Sequence, residues 1–170
     1  MRWAGLLVLL ALILGSCSGS RELTRGKAKQ LIEESDTFKP RQAKVRLTEE
    51  EVKSGLKSGY WQEQQTFLGM FGSVLVLTPQ GHALFAGFEP QIQGRILDIR
   101  DPATMEVLQV TGITDVDGPD QKQVDFMWNW NFRDSRPEVQ QFFQNYPAQR
   151  GQAIFKLYDD GWRVEGVQFQ

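Results

Sequence analysis

The clearest alternation of apolar and polar positions lies at residues 121–132, where Val124, Phe126, Trp128, Trp130 and Phe132 interleave with Asp125, Met127, Asn129 and Asn131. A strand turns successive side chains to opposite faces, so this spacing predicts a β-strand with one aromatic face in the core. Each buried ring removes about 150–250 Å² from water, worth at most ~4–6 kcal/mol at about 25 cal/mol/Å² before entropy is subtracted. Residues 95–100 and 105–114 read as two further strands separated by the turn formers Asp101-Pro102-Ala103-Thr104. The stretch 115–120 is a second turn, and residues 152–158 and 162–169 flank Asp159-Asp160-Gly161 as a closing hairpin.

Helical spacing marks three other stretches. Leu23, Ala28, Leu31 and Ile32 fit a helix over 21–35, with Ser20 or Thr24 as N-cap and Gly26 costing about 1 kcal/mol relative to Ala. Thr48-Glu49-Glu50-Glu51 reads as a capping box, with Leu47 and Val52 placed for a hydrophobic staple. Val52 and Leu56 form the stripe of that helix, and Gly59 supplies a left-handed stop. Ser135-Arg136-Pro137-Glu138 is a second capping box, followed by Val139, Phe142, Phe143 and Tyr146 at i, i+3, i+4 and i+7. Between these, 43–47 alternates as a short strand, and 67–71 is apolar but broken by glycines, leaving loop and strand open. Residues 73–77 and 82–85 flank Thr78-Pro79-Gln80-Gly81, which predicts a hairpin. The sum is an α+β fold: an antiparallel sheet of about six or seven strands with about three helices packed mainly on one face.

The N-terminal apolar run is of another kind. After Arg2 it extends over residues 3–14 and ends at Leu14-Gly15-Ser16-Cys17, the last being the chain's only cysteine. At about 1.5 Å per residue a helix of this run reaches roughly 18 Å, well short of the ~30 Å hydrocarbon core. A positive flank, a run of this length and small residues before a break are the grammar of a cleaved export signal. Leu14-Gly15-Ser16-Cys17 resembles the lipobox of bacterial lipoproteins. The resemblance implies a diacylglycerol thioether on Cys17, cleavage between Ser16 and Cys17, and acylation of the freed amine in many bacteria. Two or three acyl chains would hold the protein on the bilayer. Ser18, rather than Asp, follows the cysteine, which by the same resemblance favours the outer membrane facing the periplasm. An ordinary secretory signal, or a short membrane helix with a cysteine nearby by chance, is the alternative.

The expected organisation is therefore a signal peptide at 1–16, a lipidated N-terminus and tether at 17–20, and a single α+β domain at 21–170. Within that domain, Leu77-Thr78-Pro79-Gln80-Gly81 resembles the wing sequences of winged-helix regulators, suggesting a winged-helix-like lobe at 21–88 and a sheet-rich lobe at 89–170. Only local shape is carried over, since an exported lipoprotein does not meet DNA. The stretch 153–164, Ala-Ile-Phe-Lys-Leu-Tyr-Asp-Asp-Gly-Trp-Arg-Val, resembles the final strand pair of cystatin-like/NTF2-like α+β domains. Gly112-Ile113 followed by the Phe126, Trp128, Trp130 strand is similar to uncharacterised secreted bacterial proteins of that kind. The likeness brings no catalytic motif.

Composition narrows the chemistry. Removing the signal leaves roughly 150 residues, enough for one domain with a real core. Net charge is −2, giving no global case for nucleic acid. Residues 20–57 carry ten Lys/Arg against seven Asp/Glu, and 89–170 eight against thirteen. The basic part adjoins the lipid, yet a mixed, solvated helix surface accounts for it. With Cys17 lipidated no thiol remains for a disulfide or metal site. His82, the one histidine, excludes a His–His metal pair and reads as a turn-flanking surface residue. Asp115, Asp117 and Asp120 could offer oxygens to Ca²⁺, but lack the spacing and closing Glu of an EF-hand and read as a turn. Trp128 and Trp130 line either a sealed core or an open pocket for a lipid or glycan. No cofactor is implied. The expected function is a non-enzymatic, membrane-anchored envelope protein presenting a protein- or ligand-binding surface. The alternative is a cystatin-like/NTF2-like enzyme with an inward-facing carboxylate such as Asp98 or Asp125.

Overall fold

A computed structural model describes residues 22–39, 41–65, 73–89 and 95–170. Cys17, the N-terminal apolar run and the 67–71 stretch lie outside the described residues. The first helix, α1 (Arg25–Glu34), is capped by Thr24, whose Oγ1 accepts from the Lys27 N–H at 3.3 Å. Ala28 and Ile32 bury its apolar stripe, and a 3-10 turn at Asp36–Phe38 then buries Phe38. Strand β1 (Arg41–Arg46) buries Ala43 and Val45 and exposes its alternate positions. Both halves of the Thr48/Glu51 capping box form at the start of α2 (Glu49–Lys57). Gly59 takes φ 71° just beyond its end, the left-handed backbone that glycine accepts without strain. The residue that α2 buries is Gly55, with Val52 and Leu56 half-buried beside it.

The Thr78-Pro79-Gln80-Gly81 stretch is not a hairpin turn. Strand β3 (Ser73–Leu77) pairs antiparallel with β2 (Trp61–Gln65), Trp61 opposite Leu77, and a short helix α3 (Pro79–Leu84) precedes β4 (Phe85–Phe88). Thr78 Oγ1 accepts from the Gly81 N–H at 3.1 Å and donates to the Gly59 carbonyl at 2.6 Å. Pro79 occupies the first helical position, where its missing N–H costs nothing. A Cβ at Gly81 would lie 1.9 Å from the Tyr60 carbonyl oxygen, so the glycine serves close approach rather than turn geometry. The expected strand pairing of a wing is therefore absent, and His82 lies on a helix.

The two strands expected on either side of Asp101-Pro102-Ala103-Thr104 are one strand, β5 (Ile96–Val116). Its first half pairs with β1 and β4, and from Thr104 onward it pairs with β6 (Gly118–Asn131). Pro102 falls in the gap between the ladder to β4, which ends at Ile99, and that to β6, which begins at Thr104, and it adjoins a break in the register to β1, where Ile99, Arg100 and Asp101 of β5 stand against Ala43 alone. A strand tolerates proline at such a place. The short α4 (Pro137–Phe142) docks here, and this corrects the second capping box. Ser135 Oγ donates to the Pro102 carbonyl at 3.3 Å, and Arg136 is the N-cap, its N–H donating to Asp101 Oδ2 at 3.0 Å. Strands β7 (Gln149–Tyr158) and β8 (Gly161–Phe169) form the closing hairpin.

Among the described residues the architecture is α+β, with a mainly antiparallel curled sheet of six strands, order β1-β5-β6-β7-β8 with β4 also on β5, and a separate β2–β3 pair. The four helices among the described residues, one more than expected, serve two clusters rather than one layer. In the first, α1 and Phe38 cover Val107, Val124, Phe126, Trp128 and Phe155. In the second, Trp61, Phe85, Leu97, Ile99, Val139 and Phe143 pack with Val45. Trp130 touches both. The N-terminal helix packs with the C-terminal strands, and α4 with the N-terminal ones. Among the described residues no helix is long and apolar enough to cross a membrane.

Candidate functional site

Burying Val124, Phe126 and Trp128 on one face of β6 puts Asp125 and Met127 on the other. On β7 the buried Gly151, Ala153 and Phe155 likewise turn Arg150 and Gln152 away from the core. Register aligns the two sets: Asp125 stands opposite Gly112 of β5 and Gln152 of β7, with Gln168 of β8 next in the row. The pairing of β5 with β6 slips between Val110 and Gly112, leaving Thr111 as the extra residue of a bulge. Bulges re-aim side chains and recur beside functional sites. Together these strands form an open recess of about 400 Å³ lined by Thr111, Asp125, Met127, Arg150, Gln152 and Gln170 among others.

Asp125 Oδ1 accepts from Gln152 Nε2 at 2.9 Å and from Gln123 Nε2 at 3.3 Å. Its other oxygen lies against Gly112, where a Cβ would stand 3.3 Å away, and accepts no hydrogen bond among the described residues. Among the described residues Asp125 makes no ion pair. Arg150 is held through its carbonyl, which accepts from Trp128 Nε1 at 3.3 Å and from the Gln170 N–H at 3.1 Å, while its guanidinium has no bonded partner there. The recess thus holds an anion and a cation that are not bonded to each other, with amide and hydroxyl groups around them.

The other candidate residues are placed as follows. Asp98 faces away from the core like Asp125, because its neighbours Leu97 and Ile99 are fully buried on the opposite side of β5. Asp98 stands opposite Lys44 and Gly87, its Oδ1 buried without a partner among the described residues, while Lys44 pairs with Glu89. Trp128 is 7% exposed, its ring 4.7 Å from Phe169 and 5.8 Å from Trp130, which makes it sealed core. Trp130 is half-buried under the Arg41 guanidinium, 5.7 Å from the ring. Asp115 is paired with Lys122, and no group of three or more His, Cys, Asp or Glu is arranged for a metal ion among the described residues. His82 is exposed on α3.

Sequence reasoning named Asp125 but missed Thr111, Arg150 and Gln152. The alternation along β7 carried a signal for the last two, since they alternate with Gly151 and Ala153, the small, buried positions. No family model, no curated protein and no solved structure matches this chain.

Proposed function

We propose that this chain is a lipid-anchored bacterial envelope protein, non-enzymatic, that presents the polar recess on the β5–β8 sheet as a ligand-binding surface. The observation that carries the reading is Leu14-Gly15-Ser16-Cys17 at the end of a short apolar run after Arg2, with the chain's only cysteine in the acceptor position. The folded body fits such an anchor, because Thr24 already caps α1 and only a short stretch separates it from Cys17. An outer-membrane site facing the periplasm follows from Ser18.

The binding role is supported by the recess: it offers donors and acceptors on rigid strands, with neither a histidine nor a second carboxylate among its lining residues. The second reading is a cystatin-like/NTF2-like enzyme with an inward-facing carboxylate, for which the candidate is Asp98, its Oδ1 buried without a partner among the described residues. The anchor is tested by labelling cells with palmitate. The native chain is expected to take up label and Cys17→Ser to lose it; label retained in the mutant would overturn the assignment.

A further inference from the structure

The geometry points to a short zwitterionic peptide with both ends free as the ligand of the recess; this rests on reading the recess as a binding surface. An isolated carboxylate and an isolated guanidinium sharing one recess are each complementary to a charge the protein does not supply there. Asp125 has one oxygen, beside Gly112, that accepts no hydrogen bond among the described residues and is fit to accept from an ammonium. Arg150 offers the planar fork that pairs with a carboxylate.

Register brings the two charges to one place. Asp125 is in register with Gln152, and Arg150 with Met127, so the two charged residues are diagonal neighbours on adjacent strands and both line the recess, within reach of one small ligand. Gln152 and Thr111 lie in the same recess, amide and hydroxyl groups able to bond the central peptide group. The volume of about 400 Å³ lies within the range of small-molecule sites. A neutral sugar would leave both charges without a counter-charge, which sets it below the peptide.

The test is calorimetric titration of alanyl-alanine into the full chain in neutral detergent micelles. Saturable binding is expected, weakened at least about tenfold (1.4 kcal/mol) when the amine is acetylated or the carboxyl amidated. Asp125→Asn, which retains an oxygen for Gln152, and Arg150→Gln should each lose binding by a similar factor with unchanged thermal midpoints of the free protein. No heat up to millimolar peptide, blocked peptides binding as well as the free one, or preferential binding of N-acetylglucosamine or cellobiose would each overturn the inference. Palmitate labelling is read separately, so a chain that labels but ignores the peptide keeps its anchor and loses this ligand.

Discussion

Trp61 shows how a single side chain sets the shape of its surroundings. It is 1% exposed, its Nε1 donates to the Val52 carbonyl at 3.0 Å, and its ring packs against Phe85, Phe88 and Phe142 within 6 Å. Helix α2 lies on this ring through Gly55, where a Cβ would fall 1.9 Å from the indole. Interiors packed to crystal density do not absorb such an overlap. Gly55→Ala should therefore destabilise the fold by about 1–3 kcal/mol, despite the better helix propensity of alanine. Urea unfolding followed by tryptophan fluorescence would show the lowered midpoint; an unchanged or raised midpoint would contradict the packing.

Tyr146 is a second such residue, 8% exposed, donating its hydroxyl to the Arg46 carbonyl at 3.2 Å. Burial pushes its pKa from 10.0 up to about 12, with the charge of Glu51 adding to the effect. The folded state thus holds this proton more tightly than the unfolded chain. The resulting stability is complete below pH 10 and is lost as pH rises through about 12. Tyr146→Phe should cost about 1 kcal/mol at neutral pH through the lost hydrogen bond and flatten the decline in stability between pH 10 and 12. An unaltered alkaline limb in the mutant would refute it.

At the scale of elements, Arg136 ties three pieces of chain together. Its Nε and N–H both donate to Asp101 Oδ2, at 2.9 and 3.0 Å, its Nη1 donates to the Ala83 carbonyl and its Nη2 to the Leu84 carbonyl at 3.2 Å. The start of α4, the middle of β5 and the end of α3 are thereby joined, and carbonyls at the C-terminal end of α3 gain a cationic partner. The Arg136 hydrogen bond holds the Asp101 carboxyl below its ordinary range, against an opposing effect of burial. This contribution is present above the unfolded value of about 3.9 and is lost as pH falls through the lowered folded value. Asp101→Asn should cost about 2 kcal/mol at pH 7 and make the acid limb of unfolding shallower. A mutant with the wild-type acid limb would argue against the pair.

The elements that were legible in the sequence are those whose signal is local. Thr48 and Glu51 satisfy each other within one turn, and the β6 alternation needs no partner to be seen. The misreadings occur where tertiary contact decides between two local options. Thr78-Pro79-Gln80-Gly81 suits a turn and a helix start equally well, and the Gly59 and Tyr60 carbonyls settle it as a helix start. Asp101 to Thr104 has the residues of a turn, but α4 docks on it through Ser135 and Arg136 and it stays extended. The recess was harder still. Asp125 was visible on the polar face of its strand, but Thr111 and Arg150 reach it through strand register and a bulge, which depend on pairings distant in sequence.

At the scale of the whole molecule, two clusters share one long strand, and Trp130 packs against both. The β5–β8 part of the sheet uses one face for α1 and leaves the other for the recess. That division leaves a rigid, polar surface on the strand face turned away from the core. Core and binding surface can then be altered separately: the Gly55 and Tyr146 substitutions should change stability, and those at Asp125 and Arg150 should change binding alone.

The account depends most on Cys17, and intact mass spectrometry of the protein purified from its native membranes tests it directly. The predicted species begins at Cys17 and carries the added mass of a diacylglycerol thioether, with or without a further acyl chain on the amine. A chain with a free thiol at Cys17, or one that retains Met1–Ser16, would contradict it.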